Sequence, residues 1–126
     1  MRAFMEKKFG RWASSEGIDT DTLCRAAQEA FAGQVEADLG GYLFKKRVAR
    51  ASGGKSGGYR TILGFRKGKE ERIFFLYGFP KNVRASITGR ERTALTMVAE
   101  ALIGATDGQI DQLKTKGSLT ELECGK

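Results

Sequence analysis

The stretch RIFFLYGF, residues 72–79, limits the fold more than any other part of the chain. Side chains alternate faces along a strand, so a strand with one wet face shows polar residues at every second position. Here both parities are apolar, which predicts a central strand covered on both sides. Such a strand needs other layers of structure above and below it. The preceding segments supply its neighbours in a sheet. LFKKRVAR (43–50) places Phe44 and Val48 on one face and Lys45 and Arg47 on the other, and YRTILGF (59–65) follows a glycine-rich loop. KGKE (67–70) reads as the hairpin turn into 72–79. Three strands in succession on short connections predict an antiparallel meander.

Helical periodicity lies on either side of these strands. Phe4, Phe9, Trp12 and Ala13 suit a short amphipathic helix over 4–15, with room for a brief strand before it. Asp19-Thr20-Asp21 opens a second helix with acids at the positive end of its dipole. Its stripe is Leu23, Ala27, Ala30 and Phe31, and Gly33 is its stop. Thr88-Gly89-Arg90-Glu91 has the form of a capping box, continued by Leu95, Val98, Leu102 and Ile103 as far as Gly104. Residues 106–117 suggest one more short helix and LTELEC (119–124) a last strand. There is neither an internal repeat nor a low-complexity linker. The expectation is a single α+β domain over residues 1–126.

Charge is unevenly spread. Between Tyr42 and Arg92 there are 14 Lys/Arg against three acids, a net of +11, whereas the whole chain carries +7. The middle is thus a basic block between mildly acidic ends. Such a field favours polyanions, nucleic acid foremost, or else is a solvated surface kept for solubility. No window approaches the ~20 apolar residues that span a membrane, and MRAFMEKKFGRW has no apolar core of a secretory signal. Cys24 and Cys124 stand far apart without a CxxC pattern, which fits a reducing cytoplasm and argues against zinc. The chain has no histidine, so histidine catalysis and histidine metal sites are excluded.

RVARASGGKSGGYR (47–60) contains Gly-Lys-Ser, the end of a phosphate-binding loop. The glycine that such a loop needs five positions earlier is replaced by Ala49. A P-loop also runs from a strand into a helix, whose N-terminus helps to hold phosphate. Here Tyr59-Arg60-Thr61-Ile62-Leu63 reads as a strand, so the segment is a hairpin loop, with Lys55 either reaching phosphate or solvated. The flanking cations are better placed. Lys45 and Arg47 share a strand face, Arg60 begins the next strand near them, and Lys81 and Arg84 follow the third. A meander brings these toward one concave patch; the alternative is separate charges at strand ends.

GGYLFKKRVAR, the glycine loop, KSGGYRTILGF and FFLYGFPKN, in this order behind two helices, resemble the RelE/ParE superfamily of bacterial toxins, in its HigB-like branch. The resemblance runs from about Phe4 to Cys124. It implies a RelE-like fold: N-terminal helices packed on a small twisted antiparallel sheet, with a C-terminal helix. It implies the toxin of a type II toxin-antitoxin pair, neutralised by an antitoxin that in this branch often carries a helix-turn-helix domain. Many members cut mRNA in the ribosome without a metal or other cofactor, and ParE-like members inhibit DNA gyrase instead. Carried over, Arg60 is the arginine of the GxR turn, Lys45 and Arg47 line the cleft, and Lys81 and Arg84 follow the last long strand. Tail residues LTELECGK lack the tyrosine or histidine that many ribonuclease members use as acid or base.

The chemistry implied is attack of a 2′-OH on the adjacent phosphorus. Arg60 would stabilise the charge that gathers there, since its fork contacts two phosphate oxygens. Lys45 or Lys81 would take the proton if crowding by like charges depresses its pKa. Arg47, Lys55 and Arg84 would hold the RNA backbone, with Tyr59 and Tyr77 beside it. Tyr77 either stacks on a base, donates a proton or belongs to the core.

Overall fold

The computed structural model describes residues 1–50 and 58–125, with backbone alone at 69–71. Its elements are β1 (Arg2–Glu6), α1 (Lys7–Ser15), α2 (Thr20–Phe31), β2 (Ala37–Gly40), β3 (Leu43–Val48), β4 (Tyr59–Arg66), β5 (Lys69–Pro80), α3 (Gly89–Ile103), α4 (Asp107–Thr115) and β6 (Leu119–Glu121). They form a six-stranded sheet of order β2-β3-β4-β5-β1-β6.

The long apolar strand β5 is central and covered on both sides, as its sequence requires. Ile73 and Phe75 enter one core, with Phe9 and Ala13 of α1, Leu23 and Ala27 of α2, and Phe44, Val48 and Leu63 of the sheet. Phe74 and Leu76 enter the other, with Leu43, Ile62, Phe79, Ala99 and Leu102 of α3 and Ile110 of α4. The α1/α2 layer and the α3/α4 layer therefore sandwich the sheet.

The meander β3-β4-β5 is antiparallel, but the whole sheet is mixed, because β1 runs parallel to β5. This corrects the expected all-antiparallel sheet. Ala3 and Phe4 are both buried, one in each core. Two opposite buried faces suit an inner strand, and β1 lies between β5 and β6. Phe4 accordingly belongs to a strand, and the helix starts only at Lys7, where the Glu6 carboxylate caps it by accepting from Phe9 N at 3.0 Å. The short strand β2 was not expected at all. The capping boxes at Thr88/Glu91 and Thr106/Gln109 start α3 and α4.

Cys24 and Cys124 form a disulfide with Cα atoms 5.6 Å apart. The inference of a reducing cytoplasm from the spacing of the two cysteines is thereby corrected, because reducing compartments keep thiols unpaired. β6 pairs with β1, and Leu122 N donates to Ala3 O, which brings the tail back to α2 despite a separation of 100 residues.

Candidate nucleic-acid interface

Two local devices build the uncovered end of the α3/α4 face. The first is a bulge in β5. Ile62 pairs with Tyr77 but Leu63 pairs with Phe75, so Leu76 is the extra residue. A bulge reverses side-chain parity beyond it. Tyr77 and Phe79 thus turn to the α3 side, whereas Gly78 turns under Trp12 of α1. A Cβ on Gly78 would stand 2.2 Å from the Trp12 ring, so only glycine lets this strand and helix approach so closely. The second device is Gly58, at φ +70°, where a Cβ would meet Val48 O at 2.6 Å. Its own carbonyl accepts from Lys81 N at 3.1 Å, which ties the start of β4 to the exit of β5. The GYR and YGFPKN pieces of the sequence are therefore in contact.

Alternation from Leu43 and Ile62 puts Lys45, Arg47 and Arg60 on the same face as Tyr77 and Phe79. Arg47 is paired with Arg60, and Arg60 with Phe79. Helix α3 covers this face farther along, where Ala99 lies over Gly64. Beyond it the face is bordered by the 81–87 segment, and Lys45 Nζ donates to Ala85 O at 3.3 Å. Arg47 and Lys81 are exposed and Lys45 is half-buried. Among the described residues these three have no carboxylate within ion-pair distance.

Arg84 and Arg60 are held differently. The Arg84 guanidinium lies over the Tyr77 and Phe79 rings at 5.5 and 5.2 Å and is bonded to Glu91. That bond, with the Thr88 N–H behind it, holds the Glu91 carboxyl at about 2. Arg60 is only 5 % exposed, and its Nε donates to Glu36 Oε1 at 2.6 Å. A phosphate that reaches Arg60 must share it with Glu36 or displace that carboxylate. No sequence pattern marked Glu36, which precedes the short strand β2.

The other expected site residues lie elsewhere. Tyr59 is buried in the opposite core, edge-on to Trp12, and its hydroxyl donates to Glu16 at 3.0 Å. Its parity with Val48 and Leu63 carried that information. Lys46, which the sequence reading passed over, is buried on the α2 side, bonded to Gln34 O and paired with Glu29. Lys55 lies outside the described residues. Tyr59, the first residue of β4, begins a strand and not the helix that a P-loop leads into. Among the described residues no cluster of His, Cys, Asp or Glu suits a metal, and no helix is long and apolar enough to cross a membrane.

A family model described as the RelE toxin of the RelE/RelB toxin-antitoxin system matches residues 1–122. Neither the curated proteins nor the solved structures contain a significant match.

Proposed function

Since the chain belongs to the RelE toxin family and is the toxin of a toxin-antitoxin system, we propose that it stops growth by cutting mRNA in the cytoplasm, at the ribosome. The observation that carries this is the group of cations Lys45, Arg47 and Lys81, without carboxylate partners among the described residues, on the end of the sheet that α3 leaves open. In this reading Arg47 and Lys81 grip the phosphates on either side of the cut. Tyr77, already faced by a guanidinium, offers its ring to a base. The 2′-OH attacks phosphorus, Lys45 or Lys81 takes its proton, and the 5′-oxygen leaves with a proton returned from the site. The products are a 2′,3′-cyclic phosphate and a 5′-hydroxyl, and no metal is needed. Arg60 sits behind these residues and adds charge to the phosphorane once Glu36 yields it. The HigB-like branch, with a helix-turn-helix antitoxin, is part of the same proposal.

Induction in a heterologous bacterium, with 5′-end mapping of transcripts minutes later, tests this. Wild type should arrest growth and cut translated messages. The Lys45→Ala/Arg47→Ala/Lys81→Ala variant should lose both, at least about a hundredfold in cleavage, if each contact contributes about 1 kcal/mol. These residues give a cleaner test than Arg60→Ala, which also leaves the Glu36 carboxylate without its partner. Cleavage undiminished in the triple variant contradicts the proposal.

A second reading is inhibition by occupancy, on DNA gyrase or on nucleic acid. The engagement of Arg60 by Glu36 favours it, as does the absence of histidine. Growth arrest without new transcript ends, and with a DNA-damage response, would select it.

A further inference from the structure

The two cysteines of the chain are bonded to each other but stand in unlike surroundings. Cys24 lies in the first half of α2 and is only 7 % exposed, in the core with Leu23, Ala26 and Ala27. Cys124 lies beyond β6 and is half-buried, between exposed Glu123 and Gly125. A small thiol in solution therefore meets the bridge at Cys124, while the core shields Cys24. The bridged segment is otherwise held by short contacts. β6 is three residues long, and Glu121 at its end is paired with Arg2 and Lys114. Beyond it Leu122 N donates to Ala3 O at 2.8 Å, and the Leu122 side chain enters the core that holds Cys24.

The proposed function places the chain in the cytoplasm, where low-molecular-weight thiols such as glutathione keep most thiols reduced. Disulfides that do form there are usually transient and redox-sensing. A bridge that solution reaches at one sulfur exchanges with that pool. We propose that Cys24 and Cys124 form a thiol–disulfide exchange site whose oxidant is the disulfide of a low-molecular-weight thiol. Cys124 is the entry sulfur and Cys24 the resolving one. The Cys124 thiolate attacks one sulfur of the small disulfide, which leaves a mixed disulfide on Cys124 and releases one small thiolate. The Cys24 thiolate then attacks Cys124 Sγ, and the second small thiolate leaves. Together the two protein thiols lose two electrons and two protons, and the small disulfide becomes two thiols. Reduction retraces these steps, starting with attack of a small thiolate on Cys124 Sγ.

The bridge lies with the α1/α2 core, whereas Lys45, Arg47 and Arg60 lie on the opposite face of the sheet. Its state thus sets how firmly residues 119–125 are held, and leaves the cationic face alone. The dithiol form opens this segment to proteases, and the disulfide form keeps it closed. An oxidised cytoplasm would lengthen the life of the toxin. The proposal shares the compartment of the ribonuclease reading but needs no ribonuclease activity.

The test places the purified full chain in mixtures of reduced glutathione and glutathione disulfide, followed by acid quenching, alkylation and mass spectrometry. Wild type should pass from dithiol to disulfide as the share of glutathione disulfide rises. A bond that stays intact even in reduced glutathione alone is a permanent brace, and overturns the proposal. So do thiols that stay free in every mixture. In glutathione disulfide, Cys24→Ser should take up glutathione on Cys124 at least about tenfold faster than Cys124→Ser takes it up on Cys24. Both variants should keep the circular dichroism spectrum of wild type. Equal rates, or the reverse order, contradict the assigned roles. A broad-specificity serine protease should remove the segment that starts at Leu119 at least about tenfold faster from the dithiol form than from the disulfide form. Equal removal from the two forms overturns the link to toxin life, whatever transcript mapping shows.

Discussion

The two ends of the sheet both carry cations, but use them differently. At the β1/β6 end Arg2, Arg72 and Lys114 are engaged. Arg2 meets Glu121 at 2.9 Å, and Lys114 meets the same carboxylate at 2.8 Å. Arg72 donates to Ala105 O at 2.6 Å at the end of α3 and to Asp107 at 2.7 Å at the start of α4. At the β3/β4 end, Arg47 and Lys81 are exposed and Lys45 is half-buried, bonded to Ala85 O, and the three have no carboxylate partners among the described residues. Cations bound within the fold hold elements together. Cations left to water are available to a polyanion, and cost little stability when removed. Between these extremes, Arg60 and Arg84 border the open face but are already bound by Glu36 and Glu91.

This contrast can be broken from the locked end first. The Cys24–Cys124 bridge closes a loop of 100 residues and fixes the tail that follows β6. Cys24→Ala/Cys124→Ala, or a strong reductant, should cost about 2–5 kcal/mol of unfolding free energy. RNA affinity below the new melting temperature should be unchanged. A denaturant titration with and without reductant reads the first quantity, and a change in affinity per folded molecule would show that the ends are coupled. Arg72→Ala should come next, at about 1–3 kcal/mol, because the part-buried carbonyls of Leu102 and Ala105 lose a charged donor. Thermal melts check it, and growth arrest at low temperature should survive.

The smallest expected effect is in pH. The Arg2 guanidinium, then Lys114, holds the Glu121 carboxyl at about 2, below its ordinary 4.5. A depressed carboxyl stabilises the fold when ionised. Its contribution is complete above about pH 4.5 and is lost as pH falls toward about 2. The melting temperature should be level above pH 5 and fall below 4.5, with a shallower fall in Glu121→Gln. Screening at this partly exposed pair limits the change to about 1 kcal/mol. A fall that begins near pH 6 would point to other groups.

Much of this arrangement is legible in the sequence because it is local. The double apolar parity of 72–79 demanded two covering layers, and the Thr88/Glu91 spacing marked the start of α3. The shared face of Lys45 and Arg47 follows from strand alternation alone. What sequence did not reveal depends on distant partners. Phe4 looks helical until β5 is placed beside it. The bulge at Leu76, which swings Tyr77 and Gly78 to opposite layers, has no signature in an all-apolar run. Glu36 and Arg60 are far apart in sequence, as are Cys24 and Cys124, and only the folded sheet brings each pair together. Tyr59 was misjudged for a different reason: it adjoins Arg60, but adjacent strand residues face opposite ways.

The most direct test of the open face is the salt dependence of single-stranded RNA binding to the purified chain, beside the Lys45→Ala/Arg47→Ala/Lys81→Ala variant. Each neutralised phosphate contributes about −0.7 to the slope of log affinity against log salt. Two or three lost contacts, according to whether the lysine that acts as base is charged in the free protein, should therefore make the slope shallower by about 1.5–2, with the melting temperature unchanged. Equal slopes in the two proteins would mean that RNA, if it binds, does so elsewhere, and that the contrast between the ends has no bearing on function.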